Sequence, residues 1–350
     1  MLEPLISIGM PVYNAAPYLP AAIEGVLSQS YEKIELVIID NCSTDSSADI
    51  ALDYARRFSQ KVRFVANQWN IGYSGNAYKA TSLCKGDFIL MHGADDVLMD
   101  GALQAYVDII RGIETPDRLV LMSDFERGNA TGEPQTRLTL DIPRYSLRSE
   151  SLDFCPTEKM VRFNGHDVLK ACFPRLIAFG GVGSVLVARK LYERVEGYFS
   201  NHWFNPDKFF IYKILSLNPQ IIWLCKPLYF YRVHDNNQLS LQWGTAVLRQ
   251  LLDEYAYTFE FDTEFYESFA SRETVINTFI EMDCLNTALR EIAIGNPILG
   301  FRHLAFGLAC YPGLAWKKPK TYAAILAWIG GPLARPLLKI LYGLKKNLDR

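Results

Sequence analysis

The sequence predicts an α/β protein, with a mostly parallel, Rossmann-like sheet flanked by helices and followed by a helical C-terminal region. Three observations predict this class. Short apolar strands alternate with amphipathic helices through the first hundred residues, an order that produces parallel sheets. A polar residue follows each of these strands, at the edge where parallel sheets bind ligands. From about residue 244 onward, the apolar residues recur at helical spacing.

The first two strand–helix pairs are the clearest. Residues 5–12 are an apolar run that stops in a turn at Asn14, and a helix follows with apolar residues at helical spacing. Residues 34–39 form a second apolar run that ends at Asp40, and a cluster of Ser, Thr and Asp caps the next helix. A polar side chain therefore follows the carboxyl end of each of these two strands.

Two more pairs continue the pattern. Residues 62–65 predict a third, short strand, and Asn70 precedes a helix that runs to about Cys84. Residues 88–90 predict a fourth strand, which is followed by an acidic turn containing Asp95. Because the carboxyl ends of parallel strands share one edge, we expect Asn70 and Asp95 to lie on the same rim as the polar residues of the first two strands.

The acidic turn contains two adjacent carboxylates, Asp95 and Asp96. Like charges at short range raise each other's pKa, so the pair is costly to hold at the end of a buried strand. A divalent cation removes that cost, and Mg²⁺ or Mn²⁺ commonly bridges a protein carboxylate to the phosphates of a ligand. The pair therefore indicates a metal site, although such pairs also occur in ordinary turns.

Beyond the fourth strand the periodicity is weaker. The polar stretch 126–160 predicts a loop or an acceptor-facing insertion. The remaining predicted elements are strands at 119–124, 185–187, 221–224 and 228–231 and a helix at 208–217, which Asp207 opens. We expect a catalytic domain over residues 1–240 and a helical region over 241–350.

Charge and cysteine content narrow the class of protein. A net charge of −2 argues against nucleic acid as the main partner. The seven cysteines form no CxxC pair and lie mostly in apolar contexts, as free thiols do in a reducing compartment. The first residues lack the pattern of a signal peptide, so we expect a cytoplasmic protein.

The C-terminal region combines apolar and basic character. Residues 312–350 contain eight lysines and arginines against one aspartate, and residues 292–316 and 321–344 are both apolar. Prolines interrupt the second stretch, so an interfacial helix pair at the inner membrane surface fits better than a spanning helix. The alternative is a helical hairpin that packs on the catalytic domain with its lysines solvated.

The motifs taken together resemble those of family 2 glycosyltransferases, which have the nucleotide-sugar-binding fold called GT-A. Six blocks match in order over about ninety residues. They are Ser7–Asn14, Leu27–Tyr31, Asp40–Asp45, Asn70–Gly72, Lys85–Ile89 and Ala94–Asp96. The resemblance implies an inverting transfer of sugar from a nucleotide sugar, by default a UDP-sugar, to a glycan or lipid-linked acceptor.

The resemblance also implies roles for individual residues. The base would be Asp207, and the divalent metal, Mn²⁺ or Mg²⁺, would be bound by Asp95 with His234. The donor nucleotide would be bound by three groups of residues. Its base would be contacted by Pro11, Tyr13 and Asp40, its ribose would lie near Asn70 and Gly72, and its diphosphate would lie near Arg232. Asp96 would support Asp95 or touch the donor sugar.

Three departures from the family pattern bear on these roles. Gly93 stands where many members carry the first Asp of an Asp-x-Asp motif, and Pro206 replaces the Glu of a Glu-Asp pair. Asn41 and Cys42 replace Asp-Gly. Asp207 could instead be a first-turn carboxylate that stabilises its helix by about 0.5–2 kcal/mol. A catalytically degenerate GT-A subunit that only binds or scaffolds is therefore the alternative function.

Overall fold

The structure is a computed structural model of the 350-residue chain. It describes residues 3–139, 150–155, 158–173, 182–198, 206–235, 246–269, 271–334 and 336. The chain forms two compact units. The first comprises Met1–Cys172 and Ala178–Trp243, and the second comprises Phe173–Ile177 and Gly244–Arg350.

The first unit is built on a mixed sheet. Its strands are β1 (Ile6–Val12), β2 (Ile34–Asp40), β3 (Val62–Ala66), β4 (Phe88–Met91), β5 (Val97–Leu98), β6 (Leu119–Gly128), β7 (Pro134–Leu138), β8 (Glu150–Cys155), β9 (Glu158–Asn164), β10 (Leu186–Ala188) and β11 (Gln220–Arg232). Their order is β3-β2-β1-β4-β10-β6-β11-β9-β8, with β5 paired to β11 and β7 to β6. Strands β1 to β4 are parallel to one another, and β10 runs antiparallel between β4 and β6.

Helices connect these strands. In the first unit they are α1 (Leu19–Leu27), α2 (Ser47–Arg57), α3 (Gly72–Ser82), α4 (Ala102–Arg111), α5 (Gly165–Cys172), α6 (Arg189–Arg194) and α7 (Pro206–Ser216). The central strands are apolar on both faces because helices cover them, and every residue of β1 is buried.

The second unit is helical in its described residues. Its elements are α8 (Ala246–Ala256), α9 (Thr263–Phe269), α10 (Arg272–Thr278), a π-helical segment (Phe279–Asn286), α11 (Thr287–Ile294), α12 (Pro297–Cys310), α13 (Pro312–Ala315) and α14 (Pro319–Gly330). Its core contains Val275, Phe279, Cys284 and Leu289, all of which are buried.

The prediction of a loop over residues 126–160 is wrong for much of its described part. Strand β6 continues to Gly128, and β7, β8 and part of β9 follow within this stretch. Residues 221–224 and 228–231 also belong to one strand, β11, which stays continuous through a register irregularity near Pro227. The C-terminal prediction for residues 321–344 lies partly outside the described residues.

Strand register explains why polar residues gather at one edge. Val12 at the end of β1 pairs with Asp40 at the end of β2, and Asp40 pairs with Ala66 at the end of β3. The turns that follow these strands therefore begin at the same level. Met91 at the end of β4 pairs with Gly9, so the acidic turn that follows β4 begins at this same edge.

Candidate active site

Asp96 anchors the acidic turn to β11. Its carboxylate accepts hydrogen bonds from the Tyr229 hydroxyl and, at 2.9 Å, from the backbone N–H of Arg232. Burial, and then the charge of Asp95, raise the pKa of Asp96 well above its usual range. Asp96 therefore contacts the protein on both oxygens, which fits the supporting role suggested by the sequence.

Asp95 lies beside His234, the second predicted metal ligand. The Oδ2 atom of Asp95 and the Nε2 atom of His234 are 3.0 Å apart, although the residues are 139 positions apart in sequence. The imidazole packs against the ring of Tyr18, with 4.4 Å between centroids. A carboxylate suits Mn²⁺ or Mg²⁺, both of which can take further ligands from water and phosphate. Among the described residues, no three His, Cys, Asp or Glu side chains form a closed metal cluster.

Arg232 stabilises the acidic turn through its side chain. Its Nε donates to the carbonyl of Asp95 at 2.9 Å, and an Nη donates to the carbonyl of Ala130 at 3.0 Å. The guanidinium lies over the ring of Tyr18, 5.3 Å from its centroid, and the residue is buried. These contacts tie the acidic turn to the hairpin between β6 and β7. They give Arg232 a positioning role beside its predicted contact with the donor diphosphate.

Gly93 is explained by crowding within the acidic turn. A Cβ atom at this position would lie 2.6 Å from Oδ2 of Asp96 and 2.9 Å from Oδ1 of Asp95. Real Cβ contacts essentially never reach such distances, so either carboxylate would have to move. In this chain, the space of the missing first Asp is occupied by the two later carboxylates.

Asp40 presents an unpaired acceptor at the end of β2. The N–H of Ser43 donates to its Oδ2 at 3.1 Å, whereas its Oδ1 is buried without a hydrogen-bond partner among the described residues. An unpaired buried acceptor is costly, so the geometry calls for a donor from a ligand. Of the other two residues predicted to contact the base, Pro11 is buried in the neighbouring strand and Tyr13 is exposed just beyond it.

A cluster of asparagines orders the loops beside Asp40. Asn41 donates to Oδ1 of Asn70 at 2.9 Å and to the carbonyl of Gly72 at 3.2 Å, and it accepts from Asn67 and from the N–H of Ile71. Gly72 has a φ of +76°, a conformation that favours glycine. This cluster fixes the backbone around the predicted ribose contacts. Asn41 and Asn67 were missed as site residues because the sequence marks them only as polar loop positions.

Asp207 lies in the first turn of α7 and is held by two tyrosines. The hydroxyls of Tyr198 and Tyr73 both donate to its Oδ1, Tyr73 at 3.5 Å. Burial raises the pKa of Asp207 from 3.8 to about 7, although the hydrogen bond from Tyr73 lowers it. Tyr73 also interacts electrostatically with Asp95 and Asp96, which connects Asp207 to the acidic turn. Asp207 was predicted from the sequence, whereas neither tyrosine carried a signal that could have been recognised.

His92 lies directly before the acidic turn but has a structural environment. Burial lowers its pKa to about 4, and its ring packs edge-on against Tyr229 at 5.5 Å. The neutral ring therefore packs against Tyr229, the residue whose hydroxyl donates to Asp96.

Comparisons with known proteins show similarity to glycosyltransferases. The family profile described as Glycosyl transferase family 2 matches residues 7–166. The putative glycosyltransferase EpsE of Bacillus subtilis is 27% identical over 170 residues, which cover 48% of this chain and 59% of EpsE. The putative teichuronic acid biosynthesis glycosyltransferase TuaG, from the same species, is 32% identical over 27% of this chain and 37% of TuaG. The alignments thus span less than two thirds of either relative.

Two solved structures share the fold. Residues 1–349 of S. aureus TarS in complex with UDP superpose with a TM-score of 0.60 at 15% identity, over 97% of this chain and 92% of TarS. The mannosyltransferase PcManGT from Pyrobaculum calidifontis, in complex with GDP-Man and Mn²⁺, gives a TM-score of 0.50 at 15% identity over 96% and 88%. These matches show that the chain has the GT-A fold and that its residues 7–166 are similar to glycosyltransferase family 2.

Proposed function

We propose that this protein is an inverting glycosyltransferase that moves a sugar from a nucleotide sugar, with UDP as the nucleotide, to a hydroxyl of a cell-surface glycan precursor. The observation that carries the proposal is the environment of Asp207. A buried carboxylate whose pKa is near neutrality is suited to act as a general base, and it shares Tyr73 as an electrostatic neighbour with the acidic turn.

The unpaired Oδ1 of Asp40 supports a specific class of nucleobase. Uracil and guanine each carry a ring N–H that can donate to this oxygen, whereas the corresponding nitrogen of cytosine has a lone pair. TarS with UDP and PcManGT with GDP-Man support a nucleotide-sugar donor in general. UDP is the smaller of the two candidate nucleotides and is the one we propose.

Asp95 and His234 would hold the divalent ion. Mn²⁺ is favoured because imidazole binds Mn²⁺ better than it binds Mg²⁺, which prefers oxygen ligands. When bound, the ion would stabilise the negative charge that develops on the departing diphosphate. Asp96 and Arg232 would keep Asp95 in place through their contacts with β11 and with the backbone of the turn.

Asp207 would take the proton of the acceptor hydroxyl. Both tyrosine bonds reach Oδ1 of Asp207, so Oδ2 is the oxygen that would accept the proton. Among the described residues we assign one base and no carboxylate nucleophile opposite it, which supports a single displacement with inversion, by analogy with glycoside hydrolysis. Pro206 takes no part in this scheme, which needs only the one carboxylate.

The acceptor is proposed to be a glycan or lipid-linked glycan at the inner membrane surface. The name of TuaG, which assigns it to teichuronic acid biosynthesis, supports a role in polysaccharide assembly. The basic C-terminal segment supports a location beside anionic lipid, with the protein bound peripherally from the cytoplasmic side. Among the described residues, no helix is both long and apolar enough to span a bilayer.

Isothermal titration calorimetry with UDP tests the donor site. We expect Mn²⁺-dependent binding that EDTA abolishes and that Asp95→Asn weakens at least about tenfold, since one of two protein ligands is lost. Asp108→Asn changes an exposed carboxylate on α4 and serves as the matched control, and CDP serves as the control nucleotide. Equal affinity for UDP and CDP, or binding that ignores EDTA and Asp95→Asn, would contradict the proposed site.

Measuring turnover distinguishes an active enzyme from a subunit that only binds nucleotide, the alternative that Gly93 and Pro206 suggest. Hydrolysis of UDP-sugars in the absence of acceptor should be measurable in the wild type and lost in Asp207→Asn, while UDP affinity is unchanged. Metal-dependent UDP binding without turnover of any UDP-sugar would favour the scaffold.

A further inference from the structure

Helix α14 in the second unit exposes its large apolar residues and buries its small ones. On α14, Tyr322, Leu326 and Ile329 follow one another at helical spacing and are exposed to 53%, 69% and 69%. Leu333, in the 3-10 turn Gly331–Leu333 that follows α14, is exposed to 90%. The opposite face packs inward with Thr321, Ala324 and Ala327, all of which are buried. A helix on the surface of a water-soluble domain normally has the reverse arrangement, with its large apolar residues in the core.

The exposed stripe continues onto α12. Phe301 on α12 stacks on Trp328 of α14 with ring centroids 4.6 Å apart, and Ile298 is exposed one turn before Phe301. We call this surface the α12–α14 patch. It consists of Ile298, Phe301, Leu326, Trp328, Ile329 and Leu333. A contiguous apolar patch of this kind marks an interaction surface, unlike single exposed apolar residues.

Cations and aromatic residues with polar atoms lie close to the patch in sequence, where Lys318 and Lys320 pair with Glu281. Residues 292–334 contain no Asp or Glu, whereas Arg302 and Lys317 are exposed within that stretch. Just before α14, Trp316 packs 6.0 Å from Tyr322, whose hydroxyl donates to the Trp316 carbonyl. Tryptophan, tyrosine and lysine beside an apolar face are the residues that line a membrane interface.

We infer that the α12–α14 patch docks this protein onto the surface of an anionic lipid bilayer. The apolar side chains would enter the boundary between headgroups and acyl chains, and Arg302 and Lys317 would meet lipid phosphates. A second copy of the chain is a poorer occupant, because a symmetric contact would bring these cations against each other. The segment 335–350 is a poorer occupant as well, since it adds five lysines and arginines and one aspartate.

Vesicle co-sedimentation of the full chain tests the inference. Leu326→Glu/Ile329→Glu should lower the partition coefficient on mixed phosphatidylcholine–phosphatidylglycerol vesicles by at least about tenfold, because two inserted side chains become charged. Lys317→Ser should lower it about fivefold on these vesicles and leave binding to pure phosphatidylcholine unchanged. Leu252→Glu is the matched control, since Leu252 is an exposed leucine on α8 outside the patch.

Two readouts keep the result independent of folding and of catalysis. The melting temperature and the UDP affinity of the double variant should equal those of the wild type, so failure of this inference leaves the proposed donor site intact. Unchanged partitioning of the double variant would overturn the inference. A second outcome would also overturn it: light scattering shows that the wild type is a dimer and the double variant a monomer, while both bind vesicles equally.

Discussion

Replacing Asp207 by asparagine is expected to stabilise the protein while it removes the proposed base. The carboxylate of Asp207 is buried, which raises its pKa from 3.8 to about 7. Each unit of pKa difference corresponds to about 1.36 kcal/mol, so the ionised form destabilises the folded state by roughly 4 kcal/mol. Asparagine has nearly the same shape and keeps an oxygen that can accept the bonds from Tyr73 and Tyr198.

The sign of this effect depends on pH in a defined way. Below about pH 4 the carboxyl is protonated in both folded and unfolded chains, so the variant and the wild type should be equally stable. As the pH rises from about 4 to 7, only the unfolded chain ionises, and the wild type loses stability relative to the variant. The difference should reach its full value of roughly 4 kcal/mol above about pH 7.

Urea unfolding of both proteins at a series of pH values measures this difference. Asp45→Asn provides a control of opposite sign. Burial alone would raise the pKa of Asp45, but hydrogen bonds from Ser47 and Ala16 more than offset it and lower the pKa. That variant should be less stable than the wild type at neutral pH and should approach it as the pH falls below the ordinary carboxyl pKa.

A wild type that is as stable as Asp207→Asn at about pH 8, or more stable, would refute the reasoning. In that case Asp207 would be an ionised first-turn carboxylate that stabilises α7 through the helix dipole, which is the alternative left open by the sequence.

Two further predictions concern the neighbouring loops. Gly93→Asp recreates the common Asp-x-Asp pattern, and its Cβ should displace the two later carboxylates. We therefore expect a manganese titration to show Mn²⁺ binding weakened at least about tenfold. Tighter binding would mean that this chain has lost a metal ligand. Asn41→Ala should lower the free energy of unfolding by about 2–3 kcal/mol and raise KM for the donor, since it removes the acceptor of the Ile71 N–H and one of the two acceptors of Asn67. A variant with wild-type stability and KM would show that the asparagine cluster does not order the donor loops.

The rim of the site could be predicted from sequence because it depends on local patterns. An apolar strand followed by a polar residue places Asp40 and Asp95 at one edge whatever the rest of the fold does. The remaining contacts within the site depend on the pairing of segments that are distant in sequence. Nothing near Asp96 in the sequence identifies Tyr229 as its partner, because the two-residue strand β5 is too short to show a pattern.

The strands missed in residues 126–160 lacked the usual signal for a different reason. Strand β7 is exposed at every position, so burial imposes no alternation of apolar and polar residues on it. For α14, the sequence predicted an apolar composition but not which face of the helix is exposed. Periodicity detects that a helix has an apolar stripe, but it does not tell which side of the helix packs against the protein.

The long sequence separation between Asp95 and His234 has a consequence for synthesis. Ribosomes add about 5–20 residues per second, so the 139 residues between these two proposed metal ligands take on the order of ten seconds to translate. During that interval the nascent chain already contains β1 to β4 and the residues proposed to bind the nucleobase, but it lacks β11, which anchors the acidic turn. The proposed nucleotide-binding residues are thus expected to come together before the proposed metal site is complete.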